Sequence, residues 1–264
     1  MSAKRSISWT SFWRGAAAIV VLAVVWEVFA HSGYFSRALT PPLESILAAL
    51  AKTVADGSML QHALFTLGRV LLGIALACAI AIPLGMLMGR VRAVERFFTP
   101  LVSVLMPIPS LAWVPLFVLW FGIGNFATIL VVLYAATFPM IYNVWTGVRS
   151  ISPLWLRAGA AMGANRRALF WKVVWPGALP FVITGLRLSF GRAWIAVVGG
   201  ELLASPTWGL GKVIFDAKEF LNAEMMLAAL IVIGGFGLMF ERVVFQAVET
   251  RTVGRWGMIA AARR

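Results

Sequence analysis

Charge is what this sequence has least of. Only 12% of its 264 residues are Asp, Glu, Lys or Arg, about half of the ~25% carried by a soluble domain. That scarcity excludes a water-facing globular surface. With 61% hydrophobic residues, the class that remains is an integral membrane protein. The 23 Lys and Arg outnumber the 10 Asp and Glu, a formal charge of +13. On a soluble protein that excess would suit nucleic acid. Here the basic residues sit at the ends of apolar runs, where they orient spans, so no nucleic-acid partner is expected. Cysteine occurs once, at Cys78 inside an apolar run, which excludes an internal disulfide. His31 and His62 are isolated, so a metal cluster is not expected. A phosphate-binding loop is missing as well. Gly211-Lys212 is followed by Val213, and Pro206 stands where the first glycine should be. There is no His-Glu-x-x-His, no Ser/His/Asp set and no Cys/His cluster. No catalytic, metal or cofactor residue is nominated, and the chain is not expected to be an enzyme.

What the sequence does have is long apolar runs. Crossing a ~30 Å hydrocarbon core takes about 20 apolar residues as helix. Six stretches qualify or nearly do: about 13–31, 66–88, 98–121, 126–148, 178–203 and 225–248. They are too long and uniform for barrel strands, and open strands cannot cross lipid. The expected fold is all-α, a polytopic transmembrane bundle of about six spans in a single 1–264 domain. The first run, behind Lys4, Arg5 and Arg14, also looks like the start of a signal peptide. Val28-Phe29-Ala30-His31 is a poor cleavage site, so it is read as an uncleaved span. With the N-terminus inside, sixteen Lys and Arg fall in inner segments and five in outer ones. The basic 149–177 loop and both termini are therefore expected in the cytoplasm. Outside, Thr40-Pro41-Pro42 breaks the chain, and Ser45 to Val54 has the spacing of an amphipathic surface helix. Ser205 to Glu224 is expected as a re-entrant element or docking loop.

Several features interrupt the apolar pattern. Pro100, Pro107, Pro109 and Pro115 fall in the third span, and proline frees carbonyls that lipid cannot satisfy. A bent, pathway-lining helix and a simple packing kink both fit. Gly85 and Gly89 form a small-xxx-small pair that permits close helix approach. The fifth span carries Arg187, Arg192 and Glu201. A mid-membrane charge is normally paired or faces water. These charges thus either form a polar pathway or gate that tolerates anions, or the arginines are structural ion-pair members with Glu27 or Glu241, or they snorkel to the inner face, which Arg187 can reach. The 149–177 loop predicts two short helices. Pro153 starts the first, about Leu154 to Met162, and Gly163-Ala164-Asn165 breaks it. Arg166 to Trp175 forms the second, which Pro176 and Pro180 are expected to end.

These residues also carry a family resemblance. Arg157-Ala158-Gly159-Ala160-Ala161-Met162-Gly163, with an aliphatic residue ten positions on at Val173 and then Pro176, resembles the EAA loop of ABC-importer permeases. From Thr40 onward the chain further resembles the nitrate/sulfonate/taurine branch of type I importers. It does so through Leu67-Gly68-Arg69-Val70, Ile82-Pro83-Leu84-Gly85, Pro107 to Leu116, Trp120 to Gly124, Pro176 to Pro180, Thr184 to Arg187, Ala193-Trp194, Glu201-Leu202 and Gly209-Leu210-Gly211. The resemblance implies a bacterial inner-membrane permease that forms a solute pathway. It implies two cytoplasmic ABC ATPase subunits, an extracytoplasmic substrate-binding protein and a second permease chain, with a homodimer expected. Arg157, Ala158, Ala160, Ala161, Gly163 and Ala164 would form the coupling helix in the ATPase groove. Pro109, Trp113, Arg192 and Glu201 would belong to the pathway. Two positions depart from the pattern, since the family usually has Glu at Arg157 and Ala at Gly159. The branch carries sulfonates, taurine, nitrate and related anions. A self-contained secondary transporter or channel is the alternative.

Overall fold

Membrane-spanning length is reached by four helices in the computed structural model: Ser58–Arg90, Asn125–Arg149, Arg166–Ala204 and Ala223–Val243. Residues 9–34, 36, 38–204 and 206–245 are described. The helices are α1 (Trp9–His31), α2 (Leu43–Ala55), α3 (Ser58–Arg90), α4 (Arg92–Leu105), α5 (Val114–Phe121), α6 (Asn125–Arg149), α7 (Pro153–Ala161), α8 (Arg166–Leu169), α9 (Trp175–Ala204), α10 (Leu210–Glu219) and α11 (Ala223–Met239). Wider π turns cover Phe170–Val174 and Phe240–Phe245, and Ser110–Trp113 is a 3₁₀ turn. No strand occurs among the described residues. The first expected span appears as α1, whose Ala17–His31 part is a shorter apolar helix. Of the charges used to orient the chain, Lys4, Arg5, Arg37, Arg251, Arg255, Arg263 and Arg264 lie outside the described residues, as does the end of the sixth expected span.

Two expectations need correction. The third span is not one bent helix. Arg92–Leu105 and Ser110–Phe121 meet at 88°, because Pro107 and Pro109 lack the N–H groups that would carry the ladder across the gap. Nor do Pro176 and Pro180 end the second loop helix. The ring of Pro176 would press on the carbonyl four residues back, at Lys172. Lys172 lies within the π turn Phe170–Val174, and the helix continues through both prolines to Ala204.

The chain divides into two compact units, Met1–Leu60 with Val213–Ile231, and Gln61–Lys212 with Val232–Arg264. In the first, Trp26 Nε1 donates to Pro41 O at 3.1 Å, and the backbone N–H of Leu43 donates to Glu27 Oε2 at 3.0 Å. Glu27 thus satisfies the first N–H of α2, where a carboxylate favours the positive helix end. The expected surface helix is α2, with Ile46 and Thr53 buried.

In the second unit α6 and α9 pack along their length. Small residues on α9 (Gly185, Ser189, Ala193, Ala196 and Gly200) repeat at helical spacing and are all buried. They let the two backbones approach, the usual basis of helix association in lipid. Ser189 Oγ donates to Ala136 O at 2.8 Å. α3 uses glycine for the same purpose. A Cβ at Gly85 would lie 2.7 Å from Val144 Cβ, and one at Gly89 2.5 Å from Val148 Cβ. Gly89→Ala should therefore cost about 1–3 kcal/mol of overpacking, read as a lower unfolding temperature in detergent. Val148→Ala in the same chain should restore only part of it, because the contact with the Val148 Cβ remains. A Gly89→Ala protein as stable as wild type would sink this account of the contact.

Candidate functional site

The 149–177 loop builds a small platform from local turn chemistry. The Ser152 side chain accepts the Leu154 N–H at 3.3 Å, and Pro153 takes the first helical position, where its missing N–H is harmless. α7 ends in a Schellman motif. The N–H of Gly163 donates to Ala160 O at 3.0 Å and that of Ala164 to Gly159 O at 3.1 Å. Gly163 has φ +81°, which glycine adopts without Cβ strain. A Cβ there would meet nothing within 4 Å, so within this chain the backbone angle, not crowding, selects glycine. Asn165 then caps α8, its Oδ1 accepting the Ala168 N–H at 2.8 Å. Gly159 is buried under Leu169. Arg157, Ala158, Ala160, Ala161 and Gly163 are exposed and Ala164 is half-buried. Leu154, Trp155 and Met162 stand out around them, at 68%, 69% and 82% exposure.

A cavity of about 350 Å³ opens beside the broken third span. Met106 to Leu111, Tyr134, Phe138, Pro139, Arg192 and Ile195 are among its lining. Pro109 has no N–H to offer the carbonyl four residues back, at Leu105. That carbonyl instead accepts from the Tyr134 hydroxyl at 2.6 Å and from the Ile108 N–H at 3.2 Å. Trp113 packs against Tyr134 and Phe117, with ring centroids 5.2 and 6.0 Å apart. Its indole nitrogen is buried beside the Tyr134 hydroxyl. Of the four expected pathway residues, Pro109 and Arg192 line this cavity together. Trp113 lies behind it, and Glu201 belongs elsewhere.

Glu201 is fully buried. Its Oε1 accepts from Arg69 Nη1 at 2.5 Å. Its Oε2 accepts from Thr66 Oγ1 at 3.0 Å and from the Gly211 N–H at 2.9 Å. Arg69 Nε also donates to Asn125 Oδ1, at 2.9 Å. The Gly209 N–H meets His62 Nδ1 at 3.0 Å. Gly209 has φ +153°, and a Cβ on it would strike the Glu201 carboxylate and Arg69. This network explains why Gly209-Leu210-Gly211 accompanies Glu201. Sequence reasoning missed the role of Arg69, which counted as an outer charge and as part of a family fragment, and it missed Tyr134. The signal available for Arg69 was a cation and a carboxylate both in apolar helices, which lipid requires to be matched. The ion-pair option holds for Arg187, whose guanidinium meets the Glu241 carboxylate. Glu95 pairs with Arg149.

The segment 81–254 matches the family described as the binding-protein-dependent transport system inner membrane component. The chain belongs to that family. Among relatives of this permease, a putative ABC transporter permease of Methanocaldococcus jannaschii is 36% identical over 83% of each chain. The taurine transport system permease protein TauC of Escherichia coli is 35% identical, over 84% of this permease and 82% of its own length. The bicarbonate transport system permease protein CmpB of Synechococcus elongatus is 32% identical, over 86% and 85%. In fold the permease is similar to a chain of the inward-facing MetNI methionine ABC transporter. The TM-score is 0.63 at 20% identity, covering 76% of this permease and 97% of that chain.

Proposed function

We propose that the permease is the membrane subunit of an ATP-driven importer for a small anionic solute of the sulfonate, taurine, nitrate or bicarbonate class. The observation that carries this reading is the loop around Gly163. It is a platform of exposed small residues, ringed by Leu154, Trp155 and Met162, and it leads without a break into α9. Such a surface suits close docking in a protein groove. In this reading the groove belongs to each of two cytoplasmic ABC ATPases, and Arg157, Ala158, Ala160, Ala161, Gly163 and Ala164 make the contact. A substrate-binding protein delivers solute from outside, and a second copy of the permease completes the pathway in a bacterial inner membrane with both termini inside. The single 1–264 permease domain belongs to the same reading. Pro109 and Arg192 belong to the pathway wall, with Trp113 supporting it. Glu201 is read as a structural partner of Arg69.

This chain performs no chemistry in the proposed cycle. The purified permease should neither bind nor hydrolyse ATP, because it has no phosphate-binding loop. It should co-purify with a P-loop ATPase and stimulate that subunit's hydrolysis when the binding protein and solute are added. ATPase activity that survives removal of every partner chain would sink the assignment, and so would solute transport by the permease alone.

A further inference from the structure

Lipid makes an unmatched charge costly, and three arginines of the second unit meet carboxylates. Arg69 meets Glu201, Arg149 meets Glu95 and Arg187 meets Glu241. Arg192, exposed in the same helix as Arg187, does not. Among the described residues it has no carboxylate partner, yet it lies in α9 four residues from buried Ala196 and one from buried Ala193. It is also the only charged residue among the described residues that line the 350 Å³ cavity.

The chemistry of the remaining wall is selective. Pro107, Pro109 and Pro139 carry no N–H. The Tyr134 hydroxyl spends its proton on Leu105 O and presents lone pairs. Ser110 lines the cavity, and its hydroxyl has no partner among the described residues. The side-chain donors lining the space are thus a guanidinium fork and one hydroxyl. A guanidinium binds adjacent oxygens of a planar or tetrahedral oxyanion in a bidentate manner. Ile108, Leu111, Phe138 and Ile195 supply apolar surface for a short alkyl group.

We infer that this cavity is a binding site for a singly charged small oxyanion, with Arg192 and Ser110 as its donors. The permease then carries its own charge filter, separate from the selectivity of a binding protein. One guanidinium balances one negative charge. A dianion would leave one charge without a partner on the wall, and a cation would meet Arg192 directly. The inference rests on the importer reading for its purpose but not for its measurement.

The test uses the full-length permease in nanodiscs, with and without its ATPase. Phenylglyoxal labels accessible guanidiniums, and peptide mass spectrometry reads each arginine. Arg192 should label faster than Arg69. Millimolar methanesulfonate should slow labelling at Arg192 about tenfold, the scale of one good charge-assisted hydrogen bond. Dimethyl sulfone, the uncharged analogue, and tetramethylammonium should not. Equal slowing by dimethyl sulfone, or none by methanesulfonate, overturns the site. In the assembled transporter, Arg192→Gln should lower methanesulfonate uptake about tenfold with ATPase association unchanged, Arg192→Lys should recover part of it, and Ser110→Ala should lose about threefold. Wild-type uptake by Arg192→Gln overturns the inference. Failure of the importer reading would appear separately, as a wild-type chain that binds no ATPase, and the labelling result would stand without it.

Discussion

Glu201→Ala should be the most destabilising single change in the permease, at about 3–5 kcal/mol, because it strands a buried guanidinium. Arg69 is 5% exposed and Glu201 fully buried. The carboxylate also holds Thr66 and the Gly211 N–H, so its loss leaves three donors unsatisfied at once. Arg69→Ala should cost a similar amount by leaving the carboxylate alone. The double change Arg69→Met with Glu201→Leu removes both charges and keeps the volume, and it should recover much of the loss. Thermal unfolding in detergent reads all three. A Glu201→Ala protein that melts with wild type, or a double variant no better than the singles, would show that the pair contributes little.

The second large effect concerns Gly163. On the proposed reading the loop passes force to an ATPase, so its backbone must hold its shape at the contact. A branched or long side chain at φ +81° costs about 1–2 kcal/mol. It also projects into the space next to Ala160 and Ala161 that a partner would occupy. Gly163→Leu should insert and fold, since no atom of its own chain lies within 4 Å of the added carbon. ATPase binding, or hydrolysis coupled to transport, should fall about tenfold or more, which is what 1.4 kcal/mol of strain alone would produce. Gly163→Asn should be milder, because Asn tolerates the left-handed region. Crosslinking should join Ala161 to the ATPase. Full coupled transport by Gly163→Leu would remove the coupling role and leave the loop as a lipid-facing element.

What the sequence made legible was local. Apolar run length placed the membrane helices, since it depends on composition over about 20 residues. Part of the loop was equally readable, because Pro153 and Gly163 act on their immediate neighbours, whereas the caps from Ser152 and Asn165 were not read. Gly85 and Gly89 announced a close approach, though not that Val144 and Val148 were what they approached. The prolines of the third span announced a disruption, but two of them so close together break the helix rather than bend it. The misjudged end of the second loop helix came from treating proline as a stop. A π turn one residue earlier relieves the clash, and nothing in the local sequence signals it. The Arg69–Glu201 pair joins positions 132 apart. Such a contact exists only once α3 and α9 have packed, so no window along the chain contains it. The same holds for Tyr134 answering the carbonyl freed by Pro109.

The unbroken course from Arg166 to Ala204 has a mechanical consequence. It is one rod of 39 residues, about 58 Å long at 1.5 Å per residue. One end is rooted beside the Gly163 platform, and Arg192 sits about 39 Å along it. A helix resists stretching, so a tilt imposed at the root must reappear as sideways travel higher up, in proportion to distance from the pivot. The π turn at Phe170–Val174 puts the loosest joint next to the root. A small stroke at the platform is thereby geared up into a larger sweep at the cavity wall. On the proposed reading the docking loop and the cavity wall share one helix, so a tilt that passes the π turn moves the guanidinium too.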